Sequence, residues 1–385
     1  MTTQLFSSRF SWQRFFEEYW QRKPLFIKNA IDLSQISLNK DKLIQLACEE
    51  DIESRIVKHK VDSSSWQVEH GPFDVDDTFW QQENSPWTLL VQSIEILDDD
   101  FSQLLKQIPI PRWRIDDIMV SYASDGGGVG PHIDQYDVFL IQGSGKRHWR
   151  VGDKSQQLKE IFVDDALKQV SSFEATIDVI TEPGDLLYIP PNVAHHGTAI
   201  DSCMTFSVGF RAPNLQELLP HYTENLLASL EKSARYTDAQ GVPFNDVLHV
   251  DESSFAKFAT DFQSILWDAL ALKEAFLAQV TQQRNDFLFE DEELDSPVNP
   301  TTISELNLCE AMIGKHDRIA SLRHENQMLI GINGEVFSSS MTFYNWLTKL
   351  YNTPETWVPI SLDDDADKTL LWSLYESELV QIQTF

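Results

Sequence analysis

From about Ile52 to Phe210 the chain is written in short apolar runs, SRIVKH, DIMVSYA, DVFLIQG, HWRVG, DLLYIP and CMTFSVGFR, punctuated by Gly, Pro, Asn and Asp. Runs this short and this closely spaced predict many strands joined by turns. Antiparallel strands bury their apolar side only by closing on themselves or on a second sheet, so the stretch is expected to form a sandwich or barrel, a jelly roll being one such closure. The chain has 385 residues, more than the roughly 250 to 300 that one core usually takes, and two or three domains are expected.

The flanks read differently. Residues 9 to 28, RFSWQRFFEEYWQRKPLFIK, carry Phe10, Trp12, Phe15, Phe16, Tyr19 and Trp20 at helical spacing, ended by Pro24 and followed by a short apolar strand. After RAPN at 211 to 214 apolar residues recur at three and four, in LQELLPHYTENLLASLEKSARY and SSFAKFATDFQSILWDALALKEAFLAQV, which predicts a helical segment. FEDEELDSPVNPTT, acidic and carrying two prolines, marks a boundary. The tail mixes a helix at SELNLCEAMI, two strands about the Asn333-Gly334 hairpin signal, and helices at TFYNWLTKLY and TLLWSLYESEL, an α+β or winged-helix pattern.

Sixty acidic against thirty basic residues give a net charge of −30, which opposes binding to a phosphate backbone. The same field either draws in a basic protein partner or reflects the general acidity of a salt-adapted proteome. No apolar run reaches the roughly 18 residues of a membrane helix and the N-terminus lacks a signal-peptide layout, so a soluble, cytoplasmic protein is expected. Cys48, Cys203 and Cys309 stand in no paired spacing, against a disulfide framework or a zinc-thiolate site.

The chemistry concentrates in GPHIDQYDVFLIQGSGKRHWRVG, residues 130 to 152. On a strand His132 and Asp134 project to one side, so H-x-D offers an imidazole and a carboxylate to a common point. PPNVAHHG supplies a third ligand, and two His with one carboxylate on one face of a metal leave the remaining positions open, as in non-haem Fe(II) oxygenases. His195 and His196 face opposite sides in extended chain, and alternation alone does not choose between them. Arg147 and Trp149 share a face opposite to Lys146, His148 and Arg150. If the strand at 138 to 142 pairs with that at 146 to 151 across Gly143-Ser144-Gly145, Arg147 can line the barrel, where a buried guanidinium needs an anion. The glycine cluster DGGGVG, residues 125 to 130, allows close backbone approach at a cleft mouth.

At these residues the sequence resembles the JmjC-type cupin oxygenases that use Fe(II), 2-oxoglutarate and O2, and within them the bacterial ribosomal oxygenases. The resembling text comprises YWQRKPLFIKNA, WQVEHGPF, WRIDDIMVSYA, GGGVGPHIDQYDVFLIQGSGKRHWRVG, EPGDLLYIPPNVAHHG and SVGFRAPN. It implies an α+β chain: a double-stranded β-helix catalytic domain with an N-terminal helix over 1–212, a helical dimerisation segment over 213–292 and a winged-helix-like domain over 293–385. The resemblance places the iron ligands on His132, Asp134 and His195, the last from its place in I-P-x-x-x-x-H, and the distal carboxylate of 2-oxoglutarate on Arg147, where many relatives have lysine. Asn192 stands where many have glycine, and Asn best tolerates the left-handed backbone such a turn needs.

The implied activity is hydroxylation of an arginine side chain of a basic large-subunit ribosomal protein, the sixteenth, by a homodimer. Asp125, Gln135, Tyr136 and Asp137 flank the ligands and are candidate substrate contacts, although Asp137 has the opposite parity to Asp134. Lysine demethylation uses the same metal chemistry. A metal-binding cupin acting only as an interaction scaffold would have no use for Arg147. Cupin isomerases and storage proteins usually carry H-x-H followed by glutamate, which this chain lacks.

Overall fold

The structure, a computed structural model, describes residues 5–384 apart from 61–64, 77–79, 81–85, 157, 165–166, 212, 231–234, 236–249, 251, 284–301 and 315–316. The chain divides into two compact units, Met1–Ala212 and Pro213–Phe385.

In the first unit the helices are α1 (Trp12–Glu18), α2 (Lys40–Ala47), α3 (Ile94–Leu97) and α4 (Asp99–Lys106). The strands are β1 (Leu25–Ile27), β2 (Ser54–Lys60), β3 (Ser65–His70), β4 (Trp87–Val91), β5 (Ile115–Ala123), β6 (His132–Ile133) and β7 (Asp137–Ser144), then β8 (Arg147–Val151), β9 (Glu160–Asp164), β10 (Leu167–Val170), β11 (Ile177–Thr181), β12 (Leu186–Ile189), β13 (Ala194–Ala199) and β14 (Cys203–Phe210). An eight-stranded sheet in the order β1-β12-β7-β14-β5-β4-β2-β3 faces a four-stranded one in the order β11-β8-β13-β6. Every pairing is antiparallel. Val138, Leu140, Leu187 and Ile189 of the large sheet pack on Trp149 and Val151 of the small one, which closes the jelly roll.

One expected pairing is absent. β7 bonds to β12 and β14, whereas β8 bonds to β11 and β13, so Gly143-Ser144-Gly145 carries the chain from one sheet to the other instead of making a hairpin. Gly145 takes φ +62° there, and a Cβ would collide with the Ser202 carbonyl at 2.3 Å. The parity survives the crossing: Arg147 and Trp149 are buried, while His148 and Arg150 face outward to Asp178.

The N-terminal helix is shorter than its periodicity predicts. Ser11 caps it, and Gln21 at φ +58° ends its irregular extension before Pro24. Its aromatic face covers the large sheet, with Phe15 edge-on to Tyr188 at 4.8 Å and Trp20 edge-on to Phe210 at 5.2 Å. Behind β5, Glu95 of α3 is buried and accepts the backbone N–H of Ile118 at 2.8 Å, while Asp117 accepts that of Ser93.

The second unit holds α5 (Leu215–Ser229), α6 (Glu252–Ile265), α7 (Ala269–Thr281), β15 (Cys309–Met312), β16 (Ile319–His324), β17 (Gln327–Ile332), β18 (Glu335–Ser339), α8 (Met341–Asn352), β19 (Val358–Pro359), α9 (Asp365–Glu376) and β20 (Gln381–Thr384). Three strands, not two, form the β16-β17-β18 sheet. Its turns fall at Glu325 with φ +51° and at Asn333-Gly334 with φ +48° and +96°. α7 docks on this sheet, the Thr281 hydroxyl accepting the Gly334 N–H at 3.1 Å and the Lys273 ammonium donating to the Arg323 carbonyl at 2.7 Å. SELNLCEAMI is not an α-helix but a 3-10 turn followed by β15, because Cys309 and Ala311 alternate inward to a core of Phe343, Leu347 and Leu371. The acidic boundary expected at 289–302 lies almost wholly outside the described residues.

Burial, with the Asp117 charge adding to it, pushes the Glu95 carboxyl up to about 7. The folded state therefore binds a proton that the unfolded chain has released between the ordinary carboxylate range and about pH 7, and stability falls as pH rises through that window. Glu95→Gln keeps an acceptor for Ile118 without a charge. It is expected to remove this slope and to raise stability near pH 8 by up to about 3 kcal/mol, read from urea midpoints near pH 5 and pH 8.

Candidate metal centre

The ligand atoms of His132, Asp134 and His195 all lie within 4.8 Å of one another. His132 stands on β6 and His195 on β13, directly opposite in an antiparallel register. Their rings lie 4.1 Å apart, and Asp134, one residue beyond β6, brings Oδ2 to 3.5 Å from His195 Nε2 and 3.9 Å from His132 Nε2. His195 is buried, whereas His132 and Asp134 are half-buried, so the cluster is sealed on the barrel side and open on the other.

Both rings are oriented by backbone. His132 Nδ1 donates to the Gly130 carbonyl at 3.0 Å and His195 Nδ1 to the Val193 carbonyl at 3.1 Å. A ring whose Nδ1 carries the proton turns a bare Nε2 inward, which is the form a metal takes. Burial first, and the neighbouring His132 second, push His195 down to about 4, so it is a neutral base at physiological pH. His196 is likewise pushed down to about 4 by burial, but it pairs with Arg150 on β8, beside Thr198, and is not in the cluster. The choice that alternation left open is thus made by register.

Arg147 reaches the barrel interior from β8. It is 5 % exposed, and its Nε and Nη2 are buried without a hydrogen-bond partner. Its guanidinium lies 5.5 Å from the Trp149 ring, which in turn lies 6.1 Å from His195. Gly197 makes room for that indole, since a Cβ would stand 2.6 Å from it. A buried cation with two unanswered donors fits an anion that enters from the metal side; a bidentate carboxylate matches it.

The candidate substrate contacts separate. Asp125, Gln135 and Tyr136 are exposed next to the cluster in sequence. Asp137 is not at a cleft mouth: it is fully buried, accepting from the Tyr188 hydroxyl at 2.5 Å, Gln21 Nε2 at 3.1 Å and Arg114 Nη2 at 3.3 Å. Its opposite parity to Asp134 sends it through the sheet, where it ties the end of α1 to the barrel. The orienting carbonyls of Gly130 and Val193 were not singled out from sequence; their only signal is a position two residues before each histidine.

The JmjC domain family matches residues 103–218, the stretch that carries the cluster and Arg147. A probable ribosomal oxygenase of Haemophilus influenzae is 32% identical over 92% of this chain and 89% of its own length. The chain belongs to the ribosomal oxygenases. Another member, the ribosomal protein uL16 3-hydroxylase of Escherichia coli, is 42% identical over 60% of this chain and 61% of that protein. The crystal structure of YcfD, the E. coli ribosomal oxygenase, superposes over 100% of both chains with a TM-score of 0.78 at 32% identity. A YcfD structure in complex with cobalt and 2-oxoglutarate superposes over 98% of this ribosomal oxygenase and 99% of that chain, with a TM-score of 0.74 at 31% identity.

Three substitutions separate the histidines from one another and from the arginine. His195→Ala is expected to abolish Mn(II) binding and His196→Ala to leave it within about threefold, by titration calorimetry. Arg147→Met should keep the metal but lose the thermal stabilisation that 2-oxoglutarate confers on the wild-type protein.

Proposed function

We propose that this ribosomal oxygenase is an Fe(II)- and 2-oxoglutarate-dependent hydroxylase of a large-subunit ribosomal protein, uL16, with an arginine side chain as its target. The observation that carries the reading is the pairing of the three-ligand cluster with a buried Arg147 guanidinium, two of whose donors are unanswered, inside one barrel. His132, Asp134 and His195 are the residues that would hold the metal, and Arg147 the one that would take the far carboxylate of the co-substrate. Bound there, the ferrous ion supplies the oxidative chemistry that replaces an unactivated C–H bond by C–OH, with 2-oxoglutarate as the reductant of O2.

The chain's own groups do the rest. His195, kept neutral by burial, offers a lone pair at any physiological pH. Arg147 and Trp149 orient the co-substrate and close the inner wall against water. C–H cleavage needs no general base, so no acid–base role is assigned to the carboxylates of the chain. The exposed carboxylate of Asp125 is the group we assign to the substrate guanidinium, and the exposed Gln135 and Tyr136 are further assigned contacts. A net charge of −30 favours encounter with a basic partner. With a ribosomal substrate we assign the reaction to the cytoplasm; separately, no described helix is long and apolar enough to cross a membrane.

Incubation of the metal-loaded protein with 2-oxoglutarate, O2 and uL16 is expected to release succinate and to add one oxygen atom to an arginine, read by mass spectrometry. His132→Ala and Asp134→Ala should lose this by more than about a hundredfold, since even groups that only orient a metal ligand are worth roughly 10- to 100-fold. Loss of a methyl group from a lysine would instead mark a demethylase.

The helical segment we assign to dimerisation, and the α8–α9 tail to a winged-helix-like module. Phe255 and Trp267 are 60% and 73% exposed, and Phe258, Phe262 and Ile265 are exposed beside them, a cluster of large apolar side chains uncommon on a monomer. Light scattering is expected to give a dimer, and the double change Phe258→Glu, Phe262→Glu a monomer.

A further inference from the structure

The loop that leads into His132 is held by a strand outside both barrel sheets. Among the described residues β10 pairs with β9 alone in a two-stranded ribbon, yet its last two residues bind the ligand loop. Gln169, 6% exposed, donates its amide to the Val129 carbonyl at 2.9 Å, and the Val170 N–H donates to the Pro131 carbonyl at 2.8 Å. Between these two anchors sits Gly130, whose carbonyl takes the proton of His132 Nδ1.

Gly130 has φ +81°, and a Cβ there would stand 2.1 Å from the Gln169 amide nitrogen and 3.1 Å from the Trp66 ring. The turn is therefore gripped between Gln169 and the indole, with no room for any side chain. Gly130 can be rotated about its backbone at little steric cost of its own. What fixes the direction of its carbonyl must come from the neighbours on either side, and one of those neighbours is the Gln169 hydrogen bond.

We propose that Gln169 is a positioning residue for the metal ligand His132: by fixing the Val129 carbonyl it aims that of Gly130, which sets the tautomer and plane of the His132 ring. The inference rests on His132 being a ligand, the reading given above. Gln169 does not touch the ion, and its effect passes through one further peptide. Groups that orient a metal-bound histidine directly are worth roughly 10- to 100-fold in affinity, so a residue one step removed is expected near the lower end, about tenfold.

The test is a Mn(II) titration of the full chain followed by electron paramagnetic resonance, on wild type, Gln169→Ala, Gln169→Glu and His132→Ala. Gln169→Glu keeps the shape and loses the donor. Both Gln169 variants are expected to bind Mn(II) about tenfold more weakly than wild type, with unchanged circular dichroism and thermal unfolding of the metal-free protein, and His132→Ala not to bind. Long-range 1H–15N spectra of the metal-free protein should show the His132 ring protonated at Nδ1 in wild type and mixed between tautomers in both variants, a change that mere space-filling would not produce. Wild-type affinity in both variants, or in Gln169→Glu alone, overturns the inference while leaving the metal centre standing. Full binding by His132→Ala takes down both.

Discussion

A guanidinium enclosed in a protein barrel must have its donors answered or cost several kcal/mol, and among the described residues the Nε and Nη2 of Arg147 meet no partner. That constraint orders the rest. The charge is kept inside by strand parity on β8, is flanked by Trp149, and lies toward the buried end of a cluster whose other end is open. A chain that needed only stability would gain by replacing Arg147 with an apolar residue of similar volume. Its presence in the barrel that carries three metal-type ligands makes sense when a carboxylate-bearing molecule spans the distance between them.

The two ends of that path are tuned oppositely. At the metal end burial and the neighbouring His132 ring keep His195 neutral against the opposing pull of Asp134, and carbonyl acceptors on Nδ1 turn both Nε2 atoms inward. Asp134 provides the negative charge, half-exposed, where solvent lowers the cost of holding it. The chain as a whole is acidic, a balance that favours encounter with a basic partner, while the barrel interior presents the Arg147 cation.

Much of this was legible in the sequence, because a period of two is a strong constraint once one face must be buried. His132 with Asp134, and Arg147 with Trp149, fall on shared faces as alternation requires, and Asn192 takes the left-handed φ of +63° expected of it. Three features were not legible. A glycine-bounded turn reads alike whether it joins paired strands or crosses between sheets, so the β7–β8 connection was misread. SELNLCEAMI fits a helix and a strand equally over so few residues, and the tertiary core decided for β15. Asp137 stands near the ligands in sequence but behind the sheet in space, beside Tyr188 and Arg114.

The account stands on one metal and one dicarboxylate sharing the barrel. Anomalous diffraction from crystals grown with Mn(II) and 2-oxoglutarate tests it most directly. A single strong peak bounded by His132 Nε2, the Asp134 carboxylate and His195 Nε2, with continuous density from it to the Arg147 guanidinium, is the predicted result. A peak on His196 or His148, or a co-substrate lying away from Arg147, would contradict it.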